Sequence, residues 1–126
     1  MLTLDRLRAI ALERPGCVDT VSWGNPSMKV NGKILFYWNK ALGAPVFKVS
    51  FEERDFLLEV DPETYFITDH HKPWPLILAR PDTVSEDWVR LNLTRLWDAQ
   101  ASRAQKKLWA EKLSQEQGAA TESVDL

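Results

Sequence analysis

Asp69-His70-His71-Lys72 sets a carboxylate, two imidazoles and an ammonium side by side. In extended chain His70 and His71 point to opposite sides, so one metal ion is poorly placed to take both, and no further ligands follow at suitable spacing. Acid–base chemistry would need a carboxylate orienting an imidazole, and a sequence neighbour such as Asp69 seldom faces one productively. The expected arrangement is one imidazole hydrogen-bonded within its loop and the other exposed, with His70 and Lys72 open to a phosphate. Arg54, between Glu53 and Asp55, reads either as a surface ion pair or as a planar anchor for phosphate or carboxylate. Cys17 is the sole cysteine, which rules out an internal disulfide and a thiolate cluster. Ser22, Ser27 and Ser50 lack a partner arrangement, and Asp55, Asp61 and Asp69 suit surface, cap or turn positions. There is no nucleophile elbow, P-loop, dinucleotide fingerprint or metal-ligand set. The expectation is therefore a non-catalytic protein with no cofactor and no metal.

The net charge of −2 argues against a chain built chiefly to hold a polyanion, yet its distribution is uneven. Residues 1–50 hold seven Lys or Arg against three acids, and residues 51–87 hold three against ten. Because salt screens surface potentials within about 8 Å, a local basic field can exist on a mildly acidic protein. Lys29 and Lys33 flank Asn31-Gly32, and Lys40 and Lys48 flank the next turn. A two-stranded ribbon fits a DNA major groove, where lysines contact phosphates without reading bases. Arg103, Lys106 and Lys107 share a helix face, which is more simply an ordinary solvated one.

The elements that would position these groups follow from periodicity and punctuation. Thr3 caps a helix to about Glu13, stopped by Pro15-Gly16. Val18 to Trp23 is β-prone, Gly24-Asn25-Pro26 is turn chemistry, and Asn31-Gly32 joins Ser27–Val30 to Lys33–Trp38 as a hairpin. With Met28 opposite Leu35, one face would carry Met28, Val30, Leu35 and Tyr37, and the other Lys29, Ile34, Phe36 and Trp38. Both faces are largely apolar, so the hairpin is either covered twice or open to a partner on one side. Lys40–Pro45 reads as a turn and Val46–Ser50 as a third strand; Phe51–Val60 changes to helical period and ends at Asp61-Pro62. Leu76–Ala79 suits an inner strand. Capping boxes at Thr83/Glu86 and Ser102/Gln105 open helices to about Ala99 and Leu113. This order predicts an α+β, two-layer fold: a twisted antiparallel sheet with helices packed on it.

At 126 residues one domain is expected, over 1–114, with 115–126 a flexible tail. No run approaches the roughly 20 apolar residues that span a bilayer. Charges near Met1 stand where a signal peptide would be apolar, so no targeting segment and a cytoplasmic location are expected. Glu53-Arg54-Asp55-Phe56-Leu57-Leu58, the Asp61-Pro62 stop, Tyr65 to His71, and Pro75 to Arg80 before a tryptophan-bearing helix together resemble the MmcQ/YjbR family of small bacterial proteins. The likeness spans roughly Leu4 to Lys107 and departs from it at His71, where many relatives have Tyr, and at Pro81, where Leu is expected. It implies a secretion-chaperone-like or double-wing fold and a DNA-binding label. On that basis Lys29, Lys33, Lys40, Lys48, Arg54, His70 and Lys72 are the expected nucleic-acid contacts. The alternative is a protein-interaction module, a homodimer or small adaptor using the aromatic hairpin face of Met28, Ile34, Leu35, Phe36, Tyr37 and Trp38, as Tyr and Trp at a lysine-edged patch would suit.

Overall fold

Two tight turns with positive φ at both central residues set the register of the first three strands. Asn31 (φ 50°) and Gly32 (φ 80°) form one, as the Asn-Gly pair predicts; Trp23 (φ 51°) and Gly24 (φ 74°) form the other. The turn expected at Gly24-Asn25-Pro26 is thus displaced: Asn25 and Pro26 already lie in a strand, paired with Ser22 and Val21.

The computed structural model describes the backbone of residues 1–124 and the side chains of 1–117. Helix α1 (Leu4–Leu12) precedes strands β1 (Cys17–Ser22), β2 (Asn25–Val30), β3 (Lys33–Asn39) and β4 (Ala44–Lys48). Helix α2 (Phe51–Val60), strands β5 (Tyr65–Phe66) and β6 (Leu76–Ala79), and helices α3 (Glu86–Gln100) and α4 (Arg103–Val124) follow. The strands form one antiparallel sheet in the order β1-β2-β3-β4-β6-β5, so Leu76–Ala79 is the inner strand that its unbroken apolar run implies. The fold is α+β, with helices packed on an antiparallel sheet.

The hairpin register departs from the simple one. Lys29 pairs with Ile34 but Met28 pairs with Phe36, because the register shifts between Met28 and Lys29 and Leu35 is the extra residue of a bulge. Leu35 and Phe36 therefore both enter the helix-covered core, and Tyr37 passes to the opposite face. Beneath the helices, Leu7 and Ile10 of α1, Leu57 of α2, and Val89, Leu93 and Trp97 of α3 meet Met28, Phe36, Phe47 and Ile77. The far face holds a smaller buried cluster, Tyr37, Ala44, Val46 and Leu78.

The caps refine the helix starts. Thr3 and Ser50 accept from Arg6 N and Glu53 N, and Ser85 rather than Thr83 caps α3, accepting from Asp87 N and Trp88 N. The Thr83 hydroxyl instead accepts from Thr64 Oγ1 at 2.9 Å. The Ser102/Gln105 box forms reciprocally at 2.8 and 3.2 Å. Helix α4, expected to stop near Leu113, continues to Val124. Among the described residues no helix is long and apolar enough to cross a membrane.

Candidate functional site

The loop between β5 and β6 is shaped by its own turns and by one buried arginine. His71 N and Lys72 N both donate to Thr68 O, at 3.0 and 3.1 Å, and Trp74 N donates to His71 O at 3.0 Å. Arg54 reaches in from α2, where its Nη1 donates to the carbonyls of Lys72 (2.8 Å) and Trp74 (3.0 Å) while its Nε meets Asp55 at 3.3 Å. Its guanidinium also lies 4.9 Å from the Phe51 ring centroid, and the residue is only 9% exposed. The ion pair foreseen with Asp55 is there, but the guanidinium pins a loop and is not presented to solvent as a free anion anchor.

That pinned loop lays His71 over the far face of the sheet. His71 is buried, with Nε2 3.0 Å from Tyr37 Oη and Nδ1 2.6 Å from Thr68 Oγ1. A neutral imidazole supplies one donor and one acceptor, so the chain Thr68–His71–Tyr37 is satisfied in either tautomer. Burial, and secondarily the neighbouring His70, hold the His71 pKa below its ordinary value. Burial likewise pushes the Tyr37 phenol up, so the surroundings favour the neutral form of both groups. His70 is exposed, its ring 5.3 Å from that of His71 and edge-on to it. One imidazole bonded within the fold and one open to solvent is the division expected, although Tyr37 of β3 joins the loop's own Thr68 as partner. No group of three or more His, Cys, Asp or Glu able to hold a metal occurs among the described residues.

Between this loop and the β1–β2 turn runs a groove. Its larger part, about 580 Å³, is lined by the apolar and aromatic Tyr37, Leu76, Trp23 and Trp74 together with the polar Lys48 and His70. A second part of about 340 Å³ shares Trp23, Tyr37, Lys48 and Leu76 with the first and continues past Ile34 and Val46 to Lys33. Trp23 packs edge-on to Tyr37 at 5.5 Å, yet is 77% exposed, and Trp74 is 57% exposed.

The expected contact residues divide around this groove. Lys33, Lys48 and His70 line it, Lys29 shares its face beside Ile34, and Lys72 is exposed on the loop. Lys40 lies at the other end of the hairpins, where its N–H donates to Asn25 Oδ1 at 3.0 Å. The Asn31-Gly32 tip is held inward: Asn31 Nδ2 donates to Gln100 O (2.8 Å) and Gln105 Oε1 (2.9 Å), and Gln105 Nε2 returns a bond to Asn31 Oδ1 (3.1 Å). Of the aromatic hairpin face proposed as an interface, Met28, Leu35, Phe36 and Tyr37 are buried, while Trp38 packs half-buried against the main core. The open aromatics that line the groove are instead Trp23 and Trp74, while Phe51 and Phe56 are exposed on α2. Trp74 is signalled by its place in Pro73-Trp74-Pro75, where no helix or inner strand could bury it. Trp23 has no such signal, because a bulky residue is rarely found at positive φ.

The YjbR family model matches residues 12–99, from the end of α1 to the end of α3, and takes in the whole groove. Among solved structures, Deinococcus radiodurans protein DR2400, which carries a DUF419 domain, matches with a TM-score of 0.66 and 18% identity. The match covers 87% of this chain and 89% of that one, and at such identity it is a likeness of fold. A comparison with the curated proteins finds no match.

Proposed function

The chain belongs to the YjbR family, and from that premise we propose that it is a non-catalytic nucleic-acid-binding protein whose contact surface is the open sheet face. The observation that carries this is the coincidence of unneutralised lysines with the tryptophan-lined groove. Among the described residues Lys29, Lys33, Lys48 and Lys72 make no ion pair, while Arg6, Arg8, Arg54, Arg90 and Arg95 are all paired with acids. Lysines contact phosphate as point charges, and exposed indoles stack on unpaired bases. Because the Asn31-Gly32 tip is tied to α4, insertion of that hairpin into a duplex groove is disfavoured. An unpaired strand laid along the groove, with bases on Trp23 and Trp74 and phosphates on Lys29, Lys33, Lys48 and His70, fits the geometry better. Arg54 has no direct contact in this arrangement; it holds the loop that carries His70, Lys72 and Trp74.

Fluorescence anisotropy with labelled single-stranded and duplex oligonucleotides tests this reading. Three lysine–phosphate contacts to a single strand give a salt slope of about −2, or an affinity loss of roughly 20-fold between 50 and 200 mM salt. Lys33→Glu with Lys48→Glu is expected to abolish binding. Absence of binding to either oligonucleotide at low salt overturns the proposal. A protein-interaction role has one observation in its favour, the pair of exposed tryptophans edged by lysines. It predicts instead a sedimenting dimer, or a stoichiometric protein partner, weakened by Trp23→Ala.

A further inference from the structure

Trp23 is costly where it stands. A non-glycine residue in the left-handed region carries backbone strain, and an indole that is 77% exposed gains little burial in return. Among the described residues its one ring contact is the T-shaped one with Tyr37. Folding therefore gives no reason for a tryptophan at this turn, whereas a wall for a bound planar group does. Trp74, which lines the same groove, is likewise exposed, and its backbone is held by Arg54, so a second indole is anchored at the groove.

We propose that the larger part of the groove is a discrete pocket for a single planar aromatic group bearing one anionic substituent, seated between Trp23 and Trp74 with its charge toward Lys48 and His70. The volume of about 580 Å³ lies in the range of small-molecule sites, and an apolar body with few convergent polar groups is their usual composition. Lys48 has no ion pair among the described residues, and its carbonyl accepts from Asn92 Nδ2 at 3.2 Å. The Tyr37 hydroxyl adds an adaptable contact. If His71 Nε2 donates to Tyr37, the phenol proton is free to donate to a ligand; if Tyr37 donates to His71, its oxygen is free to accept. The proposal rests on the same face as the nucleic-acid reading but does not require it, since the anionic aromatic group can be a free small molecule or one nucleotide of a strand.

The test is an NMR titration following the indole N–H signals of Trp23 and Trp74, with 2-naphthoate as the anionic probe and 2-naphthamide as its neutral counterpart. A saturable shift at both indoles is expected, with the carboxylate bound about tenfold tighter than the amide, as a charge-assisted hydrogen bond in a partly desolvated site provides. Lys48→Gln is expected to erase that preference while leaving the amide's affinity unchanged, Trp74→Ala to weaken both probes, and Lys107→Gln on the exposed face of α4 to change neither. No saturable shift at the two indoles, or an undiminished preference in Lys48→Gln, overturns the pocket. A parallel titration with labelled single-stranded oligonucleotide separates the two ideas. Naphthoate bound without oligonucleotide leaves the pocket standing and removes the nucleic-acid reading; oligonucleotide bound without any naphthoate response does the reverse.

Discussion

His71 uses both ring nitrogens to tie its loop to itself and to the sheet. The MmcQ/YjbR resemblance leads one to expect Tyr at this position, and the imidazole found there makes two hydrogen bonds inside the fold, to Thr68 and Tyr37. Its folded pKa lies below the unfolded value of about 6.5, so the neutral form is favoured on folding. The stability this contributes is therefore complete above about pH 6.5 and is lost as pH falls through the folded value, because the unfolded chain takes up the proton first. Urea denaturation between pH 7.5 and 5 should show stability declining below pH 6.5, by at most about 1.4 kcal/mol per unit from this one proton. In His71→Gln that part of the decline should vanish even though the starting stability is lower; an unchanged pH profile in the variant would show that His71 is not its source. Arg54 gives the complementary lesson. Its flanking acids foretell the Asp55 pair, but nothing local foretells that its Nη1 bridges carbonyls 18 and 20 residues away.

Helix α4 lies beyond the residues matched by the family model, and it is joined to the body at a few points. Trp109 meets Trp97 at 6.2 Å and lies under the Arg14 guanidinium, Lys112 Nζ donates to Glu13 O at 3.1 Å, and Gln105 holds both its own cap and Asn31. Gly16 is what lets Gln105 sit there: it has φ +81°, and a Cβ at that position would overlap the Gln105 amide. Gly16→Ala should therefore cost about 1–2 kcal/mol in left-handed strain. It should also loosen the Asn31-Gly32 tip, read as faster amide hydrogen exchange there. Destabilisation with the tip still fully protected would mean that Gln105 is not the tether. Much at this scale is legible from sequence: the Thr3 cap, the Asn31-Gly32 turn, the Ser102/Gln105 box and the inner strand Leu76–Ala79 all stand where local chemistry puts them. What local chemistry does not encode is the bulge at Leu35. Apolar residues on both faces of the hairpin leave alternation with no preferred register, and the three-dimensional core decides. The Trp23-Gly24 turn is illegible for a related reason, because Asn25-Pro26 is the stronger turn signal and only pairing with β1 moves it into the strand.

Across the whole molecule the ion-paired arginines of the helices and the lysines of the open face do different work. Arginines tie elements together: Arg6 and Arg90 of α1 and α3 meet Glu86 and Glu13, and Arg95 of α3 meets Glu53 of α2 at 2.8 Å. The helix-covered side is thus largely self-neutralised, while the lysines of the open face have no acidic partner among the described residues. A chain of net charge −2 can in this way present a local positive surface, because screening confines each charge to its neighbourhood. This partition separates stability from binding in a way that can be measured. Lys33→Gln and Lys48→Gln remove no ion pair and no core contact, so each should change the unfolding free energy by no more than about 0.5 kcal/mol. Arg95→Ala removes a two-pronged contact with Glu53 and a bond to Asn92 Oδ1, and should cost roughly 0.5–1 kcal/mol. That loss should shrink in high salt, whereas the lysine variants should remain neutral at every salt concentration. Denaturant titrations of the three variants at 50 mM and 500 mM salt check both halves. A lysine variant as destabilising as Arg95→Ala would assign the open-face charges to folding and take away the main support for reading that face as a binding surface.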